Sequence, residues 1–145
     1  MSRSGYSDDC DDQWGLIRRR GAVASAIRGK RGQAFLREML AALDALPEKR
    51  LIENDLEHGR TVSALGAVGK ARGTPMANID FEDQKSVAAA FSIPLTLAGE
   101  IMFINDEAWN KERPEHRYIR VRKWVESKLA DNPAAISKRV VDEVT

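Results

Sequence analysis

The chain has 145 residues, the size of one domain, and at that length it can bury roughly two thirds of its unfolded surface without disulfide or metal staples. A composition of 43% apolar and 31% charged residues excludes a chain disordered throughout and a membrane-embedded one. With 23 basic residues against 22 acidic ones the net charge is only +1, so any electrostatic function must come from segregation of charge along the chain. Cys10, the single cysteine, can form neither an internal disulfide nor a zinc framework. The opening Met1-Ser2-Arg3-Ser4-Gly5-Tyr6 lacks the basic start and apolar run of a secretory signal, and the expected location is the cytoplasm.

Residues 1–12 are small, polar and acidic and read as a flexible arm, and residues 13–131 as the helical domain. A helix carrying Trp14, Ile17, Val23, Ala26 and Ile27 comes first, capped by Asp11 or Asp12 and weakened or bent at Gly21. Gly29-Lys30-Arg31-Gly32 ends it. Phe35, Leu36, Met39, Leu40, Leu43 and Leu46 recur at helical spacing and define the clearest helix, closed by Pro47 and folded back on the first as an antiparallel hairpin. Leu51, Ile52 and Leu56 fit a helical stripe, which predicts a helix over 48–57, with a small hairpin near 56–62 as the alternative.

Thr61 through Arg72 predicts a close-packed central helix, in which Ser63 bonds back to a carbonyl and Gly66 and Gly69 admit a neighbour. Met76 to Asp80 reads as a loop, and Asp80 or Phe81 as the start of a helix through Val87 and Phe91. Pro94 opens the next helix, which Asn105-Asp106-Glu107 terminates. Behind Pro114 a helix buries Tyr118, Val121, Val125 and Leu129 while exposing Arg117, Arg120 and Lys123. Residues 132–145 form a C-terminal tail with a weak helical stripe. The fold class expected is all-α, a compact bundle of about six to seven helices with room for one short β-hairpin.

Charge is the informative property. Arg18, Arg19, Arg20, Arg28, Lys30 and Arg31 lie in one stretch without an acidic residue. A second basic group, Arg113, Arg117, Arg120, Arg122 and Lys123, is interleaved with Tyr118 and Trp124. Clustered cations of this kind bind phosphates or an acidic protein surface. A self-contained alternative docks them on the acid-rich middle, which holds Asp80, Glu82, Asp83, Glu100, Asp106 and Glu107. The candidate binding residues are Arg18, Arg19, Arg20, Arg28, Lys30, Arg31, Arg117, Arg120 and Lys123.

Gly29-Lys30-Arg31-Gly32 lacks the spacing of a nucleoside-triphosphate loop, and His58 and His116 have no ligand-spaced partners, so neither a cofactor nor a metal is expected. Ser63 with Asn105, Asp106 and a histidine is the one constellation with hydrolase or transferase chemistry to weigh, although no nucleophile turn accompanies it.

The stretches 1–9, 27–36 (Ile-Arg-Gly-Lys-Arg-Gly-Gln-Ala-Phe-Leu), 64–68 (Ala-Leu-Gly-Ala-Val) and 100–107 (Glu-Ile-Met-Phe-Ile-Asn-Asp-Glu) together resemble a family of small uncharacterised proteins encoded by phages and prophages. Ser63 and Arg19 depart from its pattern, standing where the family often carries a cysteine and a tryptophan; the first departure argues against a thiol nucleophile. The resemblance implies a mobile-element origin and brings no fold, activity or catalytic residue. It raises the expectation of a non-catalytic accessory protein of the anti-defence or host-takeover type. Such a protein would bind a host protein or nucleoprotein complex, with direct nucleic-acid binding as the alternative.

Overall fold

A computed structural model describes residues 13–106 and 112–130. The expected acidic arm, residues 1–12, and the C-terminal tail, residues 132–145, lie outside the described residues, as do Cys10 and Glu107.

The described chain folds as an all-α bundle with one short hairpin. Its elements are α1 (Gln13–Arg28), α2 (Lys30–Ala45), β1 (Glu57–His58), β2 (Thr61–Val62), α3 (Ala64–Arg72), a 3-10 turn (Met76–Asn78), α4 (Gln84–Phe91), α5 (Leu95–Asp106) and α6 (Pro114–Lys128). The strands pair antiparallel, Glu57 opposite Val62 and His58 opposite Thr61.

Two helices organise the core. α2 packs on α1, α3 and α6, and α5 on α1, α3, α4 and α6. The periodic residues of α2, Phe35, Leu36, Met39 and Leu43, are buried, as the helical spacing requires. Phe35 meets Phe91 of α4 edge to face at 6.4 Å, and the Arg72 guanidinium lies over both rings, 5.6 and 5.9 Å from their centroids. The same guanidinium is held by both Glu38 carboxylate oxygens at 2.7 Å, which pulls the Glu38 carboxyl below its usual range.

The segment 48–57 is not helical, contrary to its apolar spacing. Its backbone groups find partners far away in sequence: Leu51 N–H donates to the Pro114 carbonyl and Ile52 N–H to the Val62 carbonyl. These bonds leave an extended strap ending in the hairpin. The strap crosses α3 so closely that a Cβ on Gly66 would sit 1.8 Å from the Leu56 carbonyl oxygen.

Ser63 is likewise not inside a helix. It caps α3, its Oγ accepting the Gly66 N–H at 3.1 Å, so the helix starts three residues later than the alanine- and glycine-rich run suggests. α4 begins at Gln84, not at Asp80 or Phe81, because Asp83 is the residue that caps it. α1 runs unbroken through Gly21. The turn after it is the single residue Gly29, so Lys30, Arg31 and Gly32 belong to α2. Gln33 secures this corner: its amide donates to the Ile27 and Lys128 carbonyls at 2.8 and 2.9 Å and accepts the Ala130 N–H at 2.8 Å. Among the described residues no single helix is long and apolar enough to cross a membrane.

Candidate functional site

The two basic groups of the sequence have opposite fates. On α1 only Val23 and Ile27 are fully buried among the residues from Ile17 onward, and Ile17, Arg18, Arg20, Gly21, Ala22, Ser25 and Arg28 are exposed. Lys30 and Arg31 follow at the corner, also exposed. No described residue forms an ion pair with Arg18, Arg20, Arg28 or Lys30. One Arg31 N–H donates to the Ser92 carbonyl at 2.9 Å, which tethers the side chain at the mouth of α4.

Arg19 turns inward instead. Its Nη2, with the Gln84 amide nitrogen, lies 2.5 Å from where a Gly99 Cβ would be, so Gly99 makes room on α5 for a half-buried guanidinium. Arg19 therefore leaves the exposed set.

The electrostatics of the corner are unusual. The first turn of α2 carries Lys30 and Arg31 and no acid, and its N-cap, Gly29, provides no side-chain hydrogen bond. A helix N-terminus holds partial positive charge, so Lys30 stands against the dipole where an acid would be stabilising, while the Arg31 guanidinium reaches the carbonyl of Ser92, the C-cap of α4.

Most of the α6 group is engaged within the fold. Arg117, expected on the surface, is 2% exposed: α6 turns it to the same side as Tyr118 and Val121. It donates to the Leu51 carbonyl at 3.0 Å and lies 3.5 Å from Glu53 and 3.6 Å from Glu112. Arg120, also expected as a binding residue, grips both Glu112 oxygens at 2.7 Å and donates to the Ile104 carbonyl at 2.6 Å. That grip holds the Glu112 carboxyl below its ordinary value. Arg122 bridges Asp44 of α2 and Glu126. These arginines fasten α6 to α2, to α5 and to the strap. Arg113 and Lys123 remain exposed.

The acid-rich middle is divided in the same way. Asp83 caps α4, Asp80 accepts the Glu82 N–H, and Asp106 is buried.

Ser63, Asn105 and Asp106 do come together, at the junction of α3, α5 and the strap. Asn105 Oδ1 accepts the Ala64 N–H at 3.0 Å while its Nδ2 donates to the Ile52 carbonyl at 2.9 Å and to Asp106 at 2.7 Å. Asp106 accepts the Asn54 N–H at 2.9 Å, where Asn54 adopts the left-handed φ of 57°. Ser63 is 1% exposed and its hydroxyl is engaged as a helix cap. His58 and His116 are exposed. The cluster is a polar lock that closes the hairpin onto α5, with its hydroxyl shut away from substrate.

A shallow open groove lies beside the strap, lined by Leu46, Pro47, Glu48, Arg50, Arg60, Thr61 and Val62. Arg50 and Arg60 are not marked by any charge run in the sequence, because only the fold brings residues 46–50 against the hairpin. Arg50 is paired with Glu48 at 2.7 Å. Among the described residues no group of three or more histidine, cysteine or acidic side chains is placed to hold a metal ion.

Comparison with protein-family models, with curated proteins and with solved structures finds no match to this chain.

Proposed function

We propose that this is a non-catalytic accessory protein of phage or mobile-element origin that docks on a host protein or nucleoprotein complex and modulates it, as anti-defence and host-takeover proteins do. The docking surface is the cationic edge formed by Arg18, Arg20, Arg28, Lys30 and Arg31. The observation that carries this reading is the contrast between the two basic groups. Arg117, Arg120 and Arg122 are engaged in fastening the bundle, whereas Arg18, Arg20, Arg28 and Lys30 are exposed and form no ion pair with any described residue. An oppositely charged partner supplies counter-charges to these exposed cations and steers the encounter.

A hydrolase or transferase reading is less well supported, because Ser63 is buried and its hydroxyl is engaged, and neither histidine is among its hydrogen-bond partners. The test is an affinity capture from bacterial lysate at moderate salt, using the full chain and an Arg18→Ala/Arg28→Ala/Lys30→Ala variant as baits. A partner retained by the first and lost by the second supports the reading. Equal capture by both overturns it.

A further inference from the structure

We propose that the α1–α2 edge binds the phosphate backbone of a nucleic-acid duplex without reading its sequence. This rests on the reading of that edge as the docking surface and names the acid that it meets.

The argument starts from what stands between the cations. Arg18 and Arg28 are about 15 Å apart along α1 at the helical rise of about 1.5 Å per residue. The exposed positions between them on that face are Gly21, Ala22 and Ser25. Beyond the local helix backbone, no atom of the described residues comes within 4 Å of where a Gly21 Cβ would be. The result is a low saddle with a guanidinium at each end. A linear polyanion can cross such a saddle and reach both ends at once.

The corner adds a second argument. Lys30 sits against the dipole of α2, an arrangement that costs folding stability while the edge is empty and becomes favourable once an anion lies there. An acidic protein surface would satisfy single charges, but a phosphodiester backbone supplies them at regular spacing along the length of the edge and releases condensed counterions when neutralised.

The cations stand on two helices, and a duplex holds its phosphates at fixed spacing, so less chain freedom is lost on binding than with a flexible single strand. Between Arg18 and Arg28 this face carries Gly21, Ala22 and Ser25, whose side chains are too short to reach past a backbone to the base edges, so the contact made there is with phosphate and sugar.

The experiment measures binding of a labelled random-sequence duplex of about 20 base pairs by fluorescence anisotropy, from about 50 to 200 mM salt. With Arg18, Arg20, Arg28, Lys30 and Arg31 in contact, affinity falls by about two to three orders of magnitude over that range. Arg18→Ala/Arg28→Ala/Lys30→Ala weakens binding at least about tenfold and flattens the salt slope by about 3, whereas Lys70→Ala/Lys85→Ala does neither. Lys30→Glu guards against a folding artefact, because it weakens binding while raising the melting temperature.

Absence of duplex binding at the lowest salt, a slope shallower than about −2, or equal losses in both multiple variants overturns the proposal. Tighter binding of a single strand of equal length also overturns it. If duplex binding fails but a nuclease-treated lysate still yields a protein that depends on Arg18 and Arg28, this inference falls and the docking function stands.

Discussion

Asn105, one residue from the end of α5, accepts the backbone N–H of Ala64, the first residue of α3, at 3.0 Å. Through its other amide atom it donates to the Ile52 carbonyl, so one side chain sets the start of a helix and the course of the strap. Asn105→Ala leaves both backbone groups buried without partners and is expected to cost about 3 kcal/mol. Asn105→Asp removes the donor and sets a carboxylate against Asp106, and should cost at least as much. Denaturant melts of the two variants check this, and a change under about 0.5 kcal/mol in either contradicts it.

Arg117 is a structural cation in a basic stretch. Arg117→Ala strips the Leu51 carbonyl of its donor and leaves Glu112 and Glu53 without one of their counter-charges, a loss of about 3 kcal/mol. Lysine at this position restores the charge but not the fork that reaches carbonyl and carboxylate together, and should recover only part of it. Thermal unfolding gives the order: wild type, then Lys, then Ala.

Acid unfolding has identifiable sources. The Glu38, Asp44 and Glu112 carboxyls are held below their ordinary values by hydrogen bonds from Arg72, Arg122 and Arg120 respectively. A depressed carboxyl stabilises the fold above its unfolded value, 4.5 for Glu112, and that stabilisation is lost as pH falls through the lower folded value. Glu112→Gln should therefore lower stability near neutral pH and flatten its decline below about pH 4. Chemical melts at pH 7 and pH 3 measure this, and a difference from wild type that is the same at both values counts against it.

Two glycine-to-alanine changes should have opposite signs. Gly66→Ala drives a methyl into the Leu56 carbonyl and should cost about 3 kcal/mol, since the strap cannot retreat without breaking the Ser63–Leu56 backbone bond. Gly21→Ala meets open space inside an exposed helix and should stabilise by about 0.5–1 kcal/mol. Their melting temperatures, relative to wild type, settle both.

The helices with strong apolar stripes were legible in the sequence: Phe35, Leu36, Met39 and Leu43 mark α2, and Tyr118, Val121 and Val125 mark α6, because burial of one face imposes that spacing. The strap was not. Leu51, Ile52 and Leu56 keep a helical rhythm, yet what fixes their backbone is hydrogen bonding to Pro114, Val62 and Asn105, which local spacing does not encode. Ser63 followed by Gly66 holds the geometry of a cap, and the alanine-rich run masked it. Among the candidate site residues, Arg18, Arg20, Arg28, Lys30 and Arg31 lie exposed where a charge run suggests. Arg117 looks the same in sequence but faces inward, because its partners Leu51, Glu53 and Glu112 come from segments whose approach depends on the whole fold.

The polar lock on α5 also has a bearing on the order of folding events. Its bonds join residues 41, 52 and 53 positions apart, and the strands that it steadies are two residues each, too short to persist alone. Loop closure over that span is entropically costly until α5 has packed, so residues 52–64 are expected to take their native course after the main kinetic barrier has been crossed. Truncation of Asn105 then accelerates unfolding and leaves the refolding rate almost untouched. On that expectation the hairpin is a late clasp, and its release should precede the opening of the bundle beneath it.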